Sequence, residues 1–521
     1  MGDKKISGTF GWNGTVLKID LSNESIEKTP LDEEILCKFL GGMGLAAKII
    51  WDYMIEKNIK TGFDPLSPDN IFVLAEGPLT GAATQGGKGI CQYISPATGH
   101  LGGGVGGGFV NASLKQAGYD ALVITGKARH PIYLYIDNDH VEIREARKLW
   151  GEGIQRTVSE LKKENGEVGT IAIGPAGENL VRHATALNDG FKSAGGKCGT
   201  GAVLGSKNLK AIVVRGTRGV RIARPSEFKK ADSKFRKALK ENSAWPMFSL
   251  WLSYFYTMPL VPSLARVYDY GVRYEACWNC NMNCCGYHEQ KVGQYTTRGL
   301  GPELTNLFGF LELGINELEP INYLSDLMNE YGLDWSEVPH DIWMIMKLYE
   351  EGVITKEDTG GVGLKFGDCN GIEHMIHLTA RREKIGDVIA EGEFNIARII
   401  PEAKKYDATV RGTRGYDDPR ENLGPAIMCS FTPYRGACLQ NWDWQSEALI
   451  YYYWKFPGKE GLRTYRGYTK EEAGRVVMDL SGPEDGRLFS LGDPKGWCKL
   501  NVRVGNWVAA VSYTHLTLPT N

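Results

Sequence analysis

The 521-residue chain carries 60 Lys and Arg against 62 Asp and Glu, with 11 cysteines, 65 glycines and 13 tryptophans. This length accommodates several domains with ample core, and a formal net charge of -2 without long runs of one sign offers no electrostatic footprint for nucleic acid or an anionic membrane surface. No stretch approaches the ~18 consecutive apolar residues of a membrane span, and the opening MGDKKISGTFGWNG has no apolar signal region, so a cytoplasmic protein with no membrane span is expected.

In chain order, short strand-like runs come first: TVLKIDL, IFVLAEG, ALVITG, PIYLYIDNDHVEI, GTIAIG and AIVVRG. Their β-branched content and bounding turn residues predict a β-rich first part, interrupted by helices over residues 32–57, 112–117 and 153–165. Glycine, well above its usual ~7%, gathers before residue 210. The run LGGGVGGG at 101–108 predicts tight turns or backbone held against a ligand. From residue 225 onward the periodicity becomes helical, with helices expected over 225–240, 320–331, 339–351, 371–382 and 470–480. The expected class is α+β, an N-terminal two-part β-rich region followed by mainly helical domains. Boundaries are expected at 1–216, 217–415 and 416–511. Residues 512–521 (SYTHLTLPTN) break with the preceding pattern and are expected to be a non-native tail, with the natural chain continuing beyond about residue 511.

The sharpest signal is Cys277-Trp-Asn-Cys280-Asn-Met-Asn-Cys284, with Cys285 directly behind it. Three thiolates in a C-x2-C-x3-C array can wrap one side of a [4Fe-4S] cubane, which then needs a fourth ligand from elsewhere in the fold. Zinc competes for the same donor set, and clustered buried thiols without metal are the plainer alternative. Cys498, in Asp493-Pro-Lys-Gly496-Trp497-Cys498, is the candidate fourth ligand. Its motif has a partner upstream, Asn329-Glu-Tyr-Gly332-Leu333-Asp334. Both read as a helix C-terminus closing on Gly with an Asx side chain at the turn.

These residues resemble the tungsten-containing aldehyde ferredoxin oxidoreductases. The likeness extends through GTVLKIDLSNESIEKTPLDEE, FLGGMGLAAKIIWD, LKQAGYDALVITGKA, IGPAGENLVRHATALNDG and GAVLGSKNLKAIVVRGT. It implies a two-sheet β base (1–216) for a bis-pyranopterin tungsten or molybdenum site, covered by two mainly helical domains, the second of them partial here. It assigns Cys277, Cys280, Cys284 and Cys498 to the cluster. One pterin would meet Asn329, Gly332, Leu333 and Asp334, and the other Asp493, Gly496 and Trp497. Lys88 and Lys192 stand where the family has phosphate-binding arginines, and lysine neutralises phosphate without the bidentate fork. Ser193 matches the position whose carbonyl helps hold a magnesium between the phosphates, whereas Val105 replaces the usual Asn ligand. Glu303 matches the active-site glutamate; buried beside the metal it would be raised in pKa and accept a proton from the attacking water.

The implied activity is oxidation of a small aldehyde to a carboxylic acid, with electrons leaving through the cluster to ferredoxin or an iron-sulfur partner subunit; a homodimer is also among the expectations. Departures keep other readings open. Leu439 stands where the family has a histidine, and the stretch between 243 and 275 is short. A tungsten aryl-coenzyme A ring reductase subunit is the first alternative, favoured by Val105 and Leu439 and opposed by Glu303. A molybdenum bis-guanine-dinucleotide enzyme places its cysteine array near the N-terminus instead. A degenerate structural or electron-transfer subunit is the non-catalytic alternative. His374 and His377 share a helix face at i,i+3 without an assigned role.

Overall fold

The structure is a computed structural model that describes residues 10–241, 269–281, 285–300, 309–410 and 412–414. The expected helix at 470–480, the domain at 416–511 and the tail at 512–521 lie outside the described residues, as do Cys284, Glu303, Leu439, Asp493, Gly496, Trp497 and Cys498.

The first part contains two six-stranded sheets. The first holds β1 (Thr15–Asp20), β2 (Ser25–Pro30), β3 (Phe72–Glu76), β4 (Gly89–Ile94), β5 (Leu101–Gly106) and β6 (Ala121–Thr125), in the order β2-β1-β6-β3-β4-β5. The second holds β7 (Ile132–Asp137), β8 (His140–Glu145), β9 (Gly169–Ile173), β10 (Ala186–Asn188), β11 (Lys192–Ser193) and β12 (Leu209–Arg215), in the order β11-β10-β9-β12-β7-β8. The pairs β1–β6 and β7–β12 are parallel and the other neighbours antiparallel.

Side-chain alternation explains the layering. Leu17, Ile19, Phe72, Leu74, Leu122 and Ile124 of the first sheet meet Leu134, Ile136, Ile171, Ile173, Ile212 and Val214 of the second in one core, together with Val110 and Leu114 of a helix between them. The intervening residues Val16, Val73, Ala121 and Val123 face outward onto Leu45, Ala46 and Ile50. Tyr133, Tyr135, Ala172 and Val213 face outward onto Ile154, Val158 and Leu161. Each sheet is therefore covered on both faces, which accounts for its nearly continuous apolar strands.

The longer helices of this part are α1 (Glu33–Phe39), α2 (Gly42–Glu56), α3 (Val110–Ala117), α4 (Ile154–Asn165) and α5 (Thr200–Ser206), with a single turn at Pro175–Glu178. The single helix expected over 32–57 is two. Asp32 caps the first by accepting from the Glu34 N–H (2.9 Å). The chain then breaks at Leu40 (φ 59°) and Gly41 (φ 134°), where a Cβ on Gly41 would sit 2.6 Å from the Glu76 carbonyl oxygen. Residues 101–106, expected to turn or to lie against a ligand, form strand β5, and its glycines are required by the neighbours: Cβ atoms would strike Ser95 at Gly102, the Cys91 carbonyl at Gly103 and Asn188 at Gly106.

After α6 (Pro225–Glu241) comes a small antiparallel sheet that the helical periodicity does not predict: β13 (Gly271–Glu275), β14 (Cys285–Gln290) and β15 (Thr297–Leu300). Helices α7 (Leu318–Tyr331), α8 (Val338–Glu350), α9 (Cys369–Arg381) and α10 (Glu393–Ile399) follow around a core that includes Ile321, Leu324, Met328, Ile342, Ile345 and Ile376. This core also takes in Ala176, Val181, Ala184 and Ala202, so the helical part is seated directly on the second sheet's connections. Among the described residues no helix is long and apolar enough to cross a membrane.

Replacement of Leu134, fully buried between the sheets, with alanine should cost about 2–5 kcal/mol in urea denaturation. The same change at the exposed Ile26 of β2 should cost under about 0.5 kcal/mol.

Candidate functional site

The two sheets meet edge to edge where β5 ends and β11 begins. A Cβ added to Gly107 would lie 2.7 Å from Cys277 Sγ and 3.4 Å from both Lys192 Cγ and Lys88 Nζ. Three residues singled out in the sequence, far apart along the chain, thus converge on one glycine. Both lysines are half-buried, and Cys277 is buried.

Backbone contacts hold this junction. The Trp278 N–H donates to the Gly108 carbonyl (3.0 Å), and Gly87 has no room for a Cβ, which would meet Trp278 N at 2.9 Å. The Gln85 N–H donates to the Asn279 carbonyl (2.8 Å), and Asn279 Nδ2 to the Ala83 carbonyl (3.1 Å). Asn279 Oδ1 in turn accepts from Arg236 of α6 (2.9 Å), whose Nε donates to Asp232 at the same distance. Cys280, half-buried, closes a tight turn through its N–H onto the Cys277 carbonyl (3.1 Å).

Two buried asparagines organise the glycines. Asn111 Nδ2 lies within reach of the carbonyls of Gly87 (3.2 Å), Gly106 (3.0 Å) and Gly107 (3.3 Å), and Asn188 Nδ2 donates to Gly107 (2.8 Å). Neither was singled out in the sequence, where one Asn in a helix and one in a strand carry no local signal. Asp189 adds a third tie, accepting from the N–H groups of Phe109 (2.5 Å) and Thr170 (2.9 Å). These bonds lower its pKa, but burial outweighs them and moves it up.

The next residue along β11 leads to a second convergence. A Cβ on Gly196 would lie 2.7 Å from Asp334 Oδ2 and 3.5 Å from Ser193 Oγ. Asp334 is buried; its Oδ1 accepts from Ser336 N (2.9 Å), Ser336 Oγ (2.6 Å) and Glu337 N (3.2 Å), and its Oδ2 accepts from Lys197 N (2.8 Å). Asp334 thereby fixes both the entry to α8 and the loop after β11.

The motif beginning at Asn329 is the expected C-terminal closure of α7. Gly332 is left-handed (φ 72°); its N–H reaches the Asn329 carbonyl (3.1 Å) and the Leu333 N–H the Met328 carbonyl (2.9 Å). The turn is pinned to the base, since Thr185 N–H donates to the Gly332 carbonyl (2.8 Å) and Leu333 bridges to Ala184. Asn329 and Leu333 are buried.

Other expectations resolve differently. Val105 packs with the outer apolar layer of the first sheet and supplies no ligand atom. Cys285 is buried, with Sγ 3.9 Å from the Phe191 carbonyl oxygen. His374 Nε2 meets the Thr359 carbonyl (2.9 Å) and His377 Nδ1 the Tyr331 hydroxyl (2.7 Å), so both are engaged in local packing. Among the described residues no group of three or more His, Cys, Asp or Glu is arranged to hold a metal; Cys284 and Cys498 lie outside them.

The cradle suits an anionic cofactor beside a thiol-held centre. Lysine ammonium groups and glycine backbone suit phosphate, cysteine thiolates suit iron, and a Cβ at Gly107 or Gly196 would press on Cys277 Sγ or Asp334 Oδ2. Family comparison points the same way. The profile for "Aldehyde ferredoxin oxidoreductase, N-terminal domain" matches residues 16–216 and that for "Aldehyde ferredoxin oxidoreductase, domains 2 & 3" matches residues 238–505. The chain belongs to the aldehyde ferredoxin oxidoreductase family.

Within that family it is 34% identical over 458 residues to the tungsten-containing aldehyde ferredoxin oxidoreductase of Pyrococcus horikoshii, covering 82% of this chain and 74% of that one. It is 33% identical over 441 residues to the aliphatic sulfonate oxidoreductase, WOR-like subunit, of Pyrococcus furiosus, covering 77% and 69%. Among solved structures, the active site complex BamBC of benzoyl coenzyme A reductase with 1,5-dienoyl-CoA superposes with a TM-score of 0.75 at 26% identity, over 90% of this chain and 76% of that one. Membership makes this chain an oxidoreductase of a tungsten-containing family, and the family implies a tungsten–pterin cofactor.

The hydrogen bonds that Asp334 accepts from the turn before α8 and from Lys197 generate a test that needs no cofactor. Asp334→Ala strands those buried donors and should cost about 1–3 kcal/mol in urea denaturation, and Asp334→Asn, which keeps one acceptor oxygen, should recover part of it.

Proposed function

We propose that the chain is the catalytic subunit of a tungsten bis-pterin oxidoreductase that converts an aldehyde and water to a carboxylic acid, releasing two electrons and two protons. The observation that carries the reading is the meeting of Cys277, Lys88 and Lys192 around Gly107, a thiol for an electron-transfer centre next to cations for cofactor phosphates. When bound, the tungsten bis-pterin accepts an electron pair, and a [4Fe-4S] cluster passes electrons singly to ferredoxin or an iron-sulfur partner subunit.

In this reading Cys277, Cys280, Cys284 and Cys498 hold the cluster. Lys88 and Lys192 neutralise phosphate, and the Ser193 carbonyl holds a magnesium between the phosphates. Asn329, Gly332, Leu333 and Asp334 orient one pterin, and Asp493, Gly496 and Trp497 the other. Glu303 takes a proton from the water that attacks the aldehyde carbon. Leu439 in place of histidine leaves Glu303 without a polarising partner, which favours substrates whose carbonyl is already activated.

The second reading, a tungsten aryl-coenzyme A ring reductase, is favoured by the 90% coverage of this chain in the benzoyl coenzyme A reductase superposition and by the apolar Val105 and Leu439. The two separate on substrate. Aldehydes should reduce a low-potential dye in the first case, whereas in the second a reduced dye should be consumed by an aryl-coenzyme A thioester.

Protein expressed anaerobically with tungstate and molybdate should contain about four iron, one tungsten and two pterins per chain; zinc without pterin would sink the proposal. Glu303→Gln should keep that metal content while lowering kcat by about 10²–10⁴, read in the dye assay.

A further inference from the structure

Behind the Asp334 loop lies a group of ionisable side chains that the proposed chemistry does not use. Glu337, Asp341 and Glu393 are each no more than 2% exposed, His183 2%, His340 4% and Lys197 5%. They come from four separate segments: His183 precedes β10, Lys197 follows β11, Glu337, His340 and Asp341 span the start of α8, and Glu393 begins α10. Around Asp341 and Glu393 stand the acids Glu337, Asp334 and Asp407, with Glu312 beyond His340. Facing them are the cations Lys197 and Arg414.

Their pairing is incomplete. Lys197 Nζ lies 2.8 Å from Glu337 Oε1. Glu393 Oε1 accepts from the Ala408 N–H (2.6 Å); its Oε2 lies 3.5 Å from His340 Nε2, which makes no hydrogen bond among the described residues, so the two are neighbours that a small side-chain shift would join. Among the described residues neither oxygen of Asp341 makes a hydrogen bond of normal geometry, the Glu393 backbone N–H giving only weak relief, and His183 Nε2 stands 4.0 Å away. Nor does His183 Nδ1 meet a hydrogen-bond partner among them. Glu337 and Asp341 are one helical turn apart on α8, so two like charges would share one buried face. An uncompensated carboxylate in such surroundings takes up a proton instead of staying charged. The cluster also has an outlet, because His340 Nδ1 lies 3.2 Å from Glu312 Oε2, whose side chain is 38% exposed and ion-paired with Arg414 (3.0 Å).

We propose that Asp341, Glu393 and His340 form a buried proton-holding relay that opens to the surface at Glu312, and that Glu337, ion-paired with Lys197, ties it to the Asp334 loop. Glu393 passes its proton to His340 Nε2 as the Nδ1 proton moves to Glu312; one proton enters the ring, one leaves, and no electron moves. Lys197 couples relay to loop, its Nζ on Glu337 and its backbone N–H on Asp334. That this loop faces a cofactor whose oxidation of substrate releases protons rests on the proposed function; the held protons do not.

The direction of the titrations agrees. Burial raises Asp341 well above the ordinary carboxylate range, with Glu337 and Glu393 adding to the effect, and pushes Glu393 up to about 8. An acid whose folded pKa is raised contributes stability that is fully present below its unfolded value and lost as pH rises through the folded value.

The test uses the full chain and the variants Glu393→Gln and Asp341→Asn, each an isostere of the protonated acid. Urea denaturation between pH 4 and 9 should show Glu393→Gln close to wild type at pH 4, below the ordinary glutamate pKa. The wild-type unfolding constant should then rise against Glu393→Gln by about tenfold per pH unit and level off above about pH 8. Infrared spectroscopy at pH 7 should find a protonated buried carboxyl band in the wild type that Asp341→Asn lacks. Amide exchange at Lys197, corrected for intrinsic rate, should lose protection with rising pH in the wild type and keep it in Glu393→Gln. Parallel pH profiles for all three proteins, absence of the carboxyl band, or one equivalent of a bound cation lost in both variants would overturn the relay. Metal analysis of the same samples reports separately on the tungsten reading, so its failure would leave the proton result standing.

Discussion

The close approach of two sheet edges is the constraint on which the site depends. Strand β5 lies against β4 on one side and against residues of the second sheet on the other, and at Gly102, Gly103 and Gly106 a side chain would collide with one or the other. That approach brings Lys192 on β11 beside Gly107 and leaves the carbonyls of residues 106 and 107 to be gathered by Asn111 and Asn188. The loop carrying Cys277 then seats on Gly87 and Gly108 by backbone contacts alone. A rigid floor of this kind lets a few side chains hold a fixed geometry, because positions set by packed backbone lose little to thermal motion.

Some buried charge in the base is paired: Lys115 with Asp120, which also takes the N–H groups of Asn13 and Gly14, and Lys210 with Glu178 (2.5 Å). Breaking one partner of such a pair strands the other at a cost of about 3–5 kcal/mol. Glu76 of β3 is not paired; its oxygens meet no hydrogen-bond partner among the described residues, and burial raises its pKa. Lys207 instead donates to the carbonyls of Asn70 (2.5 Å) and Gly126 (3.1 Å), and burial lowers it to about 7. Around Asp341 the described residues hold more acids than cations, and burial raises Asp341 and Glu393 as it raises Glu76.

Much of the base was legible because each strand carries its own alternation and each turn its own glycine. The strands containing Leu17, Leu74, Leu122, Leu134, Ile171 and Ile212 stand where the apolar runs predict, and α7 ends at Gly332 as the Asn329 motif predicts. Misreadings occurred where a distant contact overrode local preference. The break at Gly41 answers to the Glu76 carbonyl, and the glycine run at 101–106 is extended because β4 pairs with it. The sheet β13–β15 escaped notice because its strands are short and half-exposed, without the alternation that marks a core face.

Sequence alone determined the family, through segments whose combination is specific, and the residue types at the cysteine array, because ligand chemistry depends on side-chain identity and short spacing. Tertiary structure decided which of those residues meet. Lys88 reaches Gly107 through the β4–β5 pairing, in which Gly89 lies opposite Gly106, whereas Lys192 and Cys277 reach it only because the second sheet's edge and the loop carrying Cys277 pack against that pair. It also raised the pKa of Asp341 and Glu393, since their burial and charged neighbours come from segments far apart in the chain. Local sequence encodes conformation and donor type, whereas proximity and solvent exclusion arise only when the chain closes on itself.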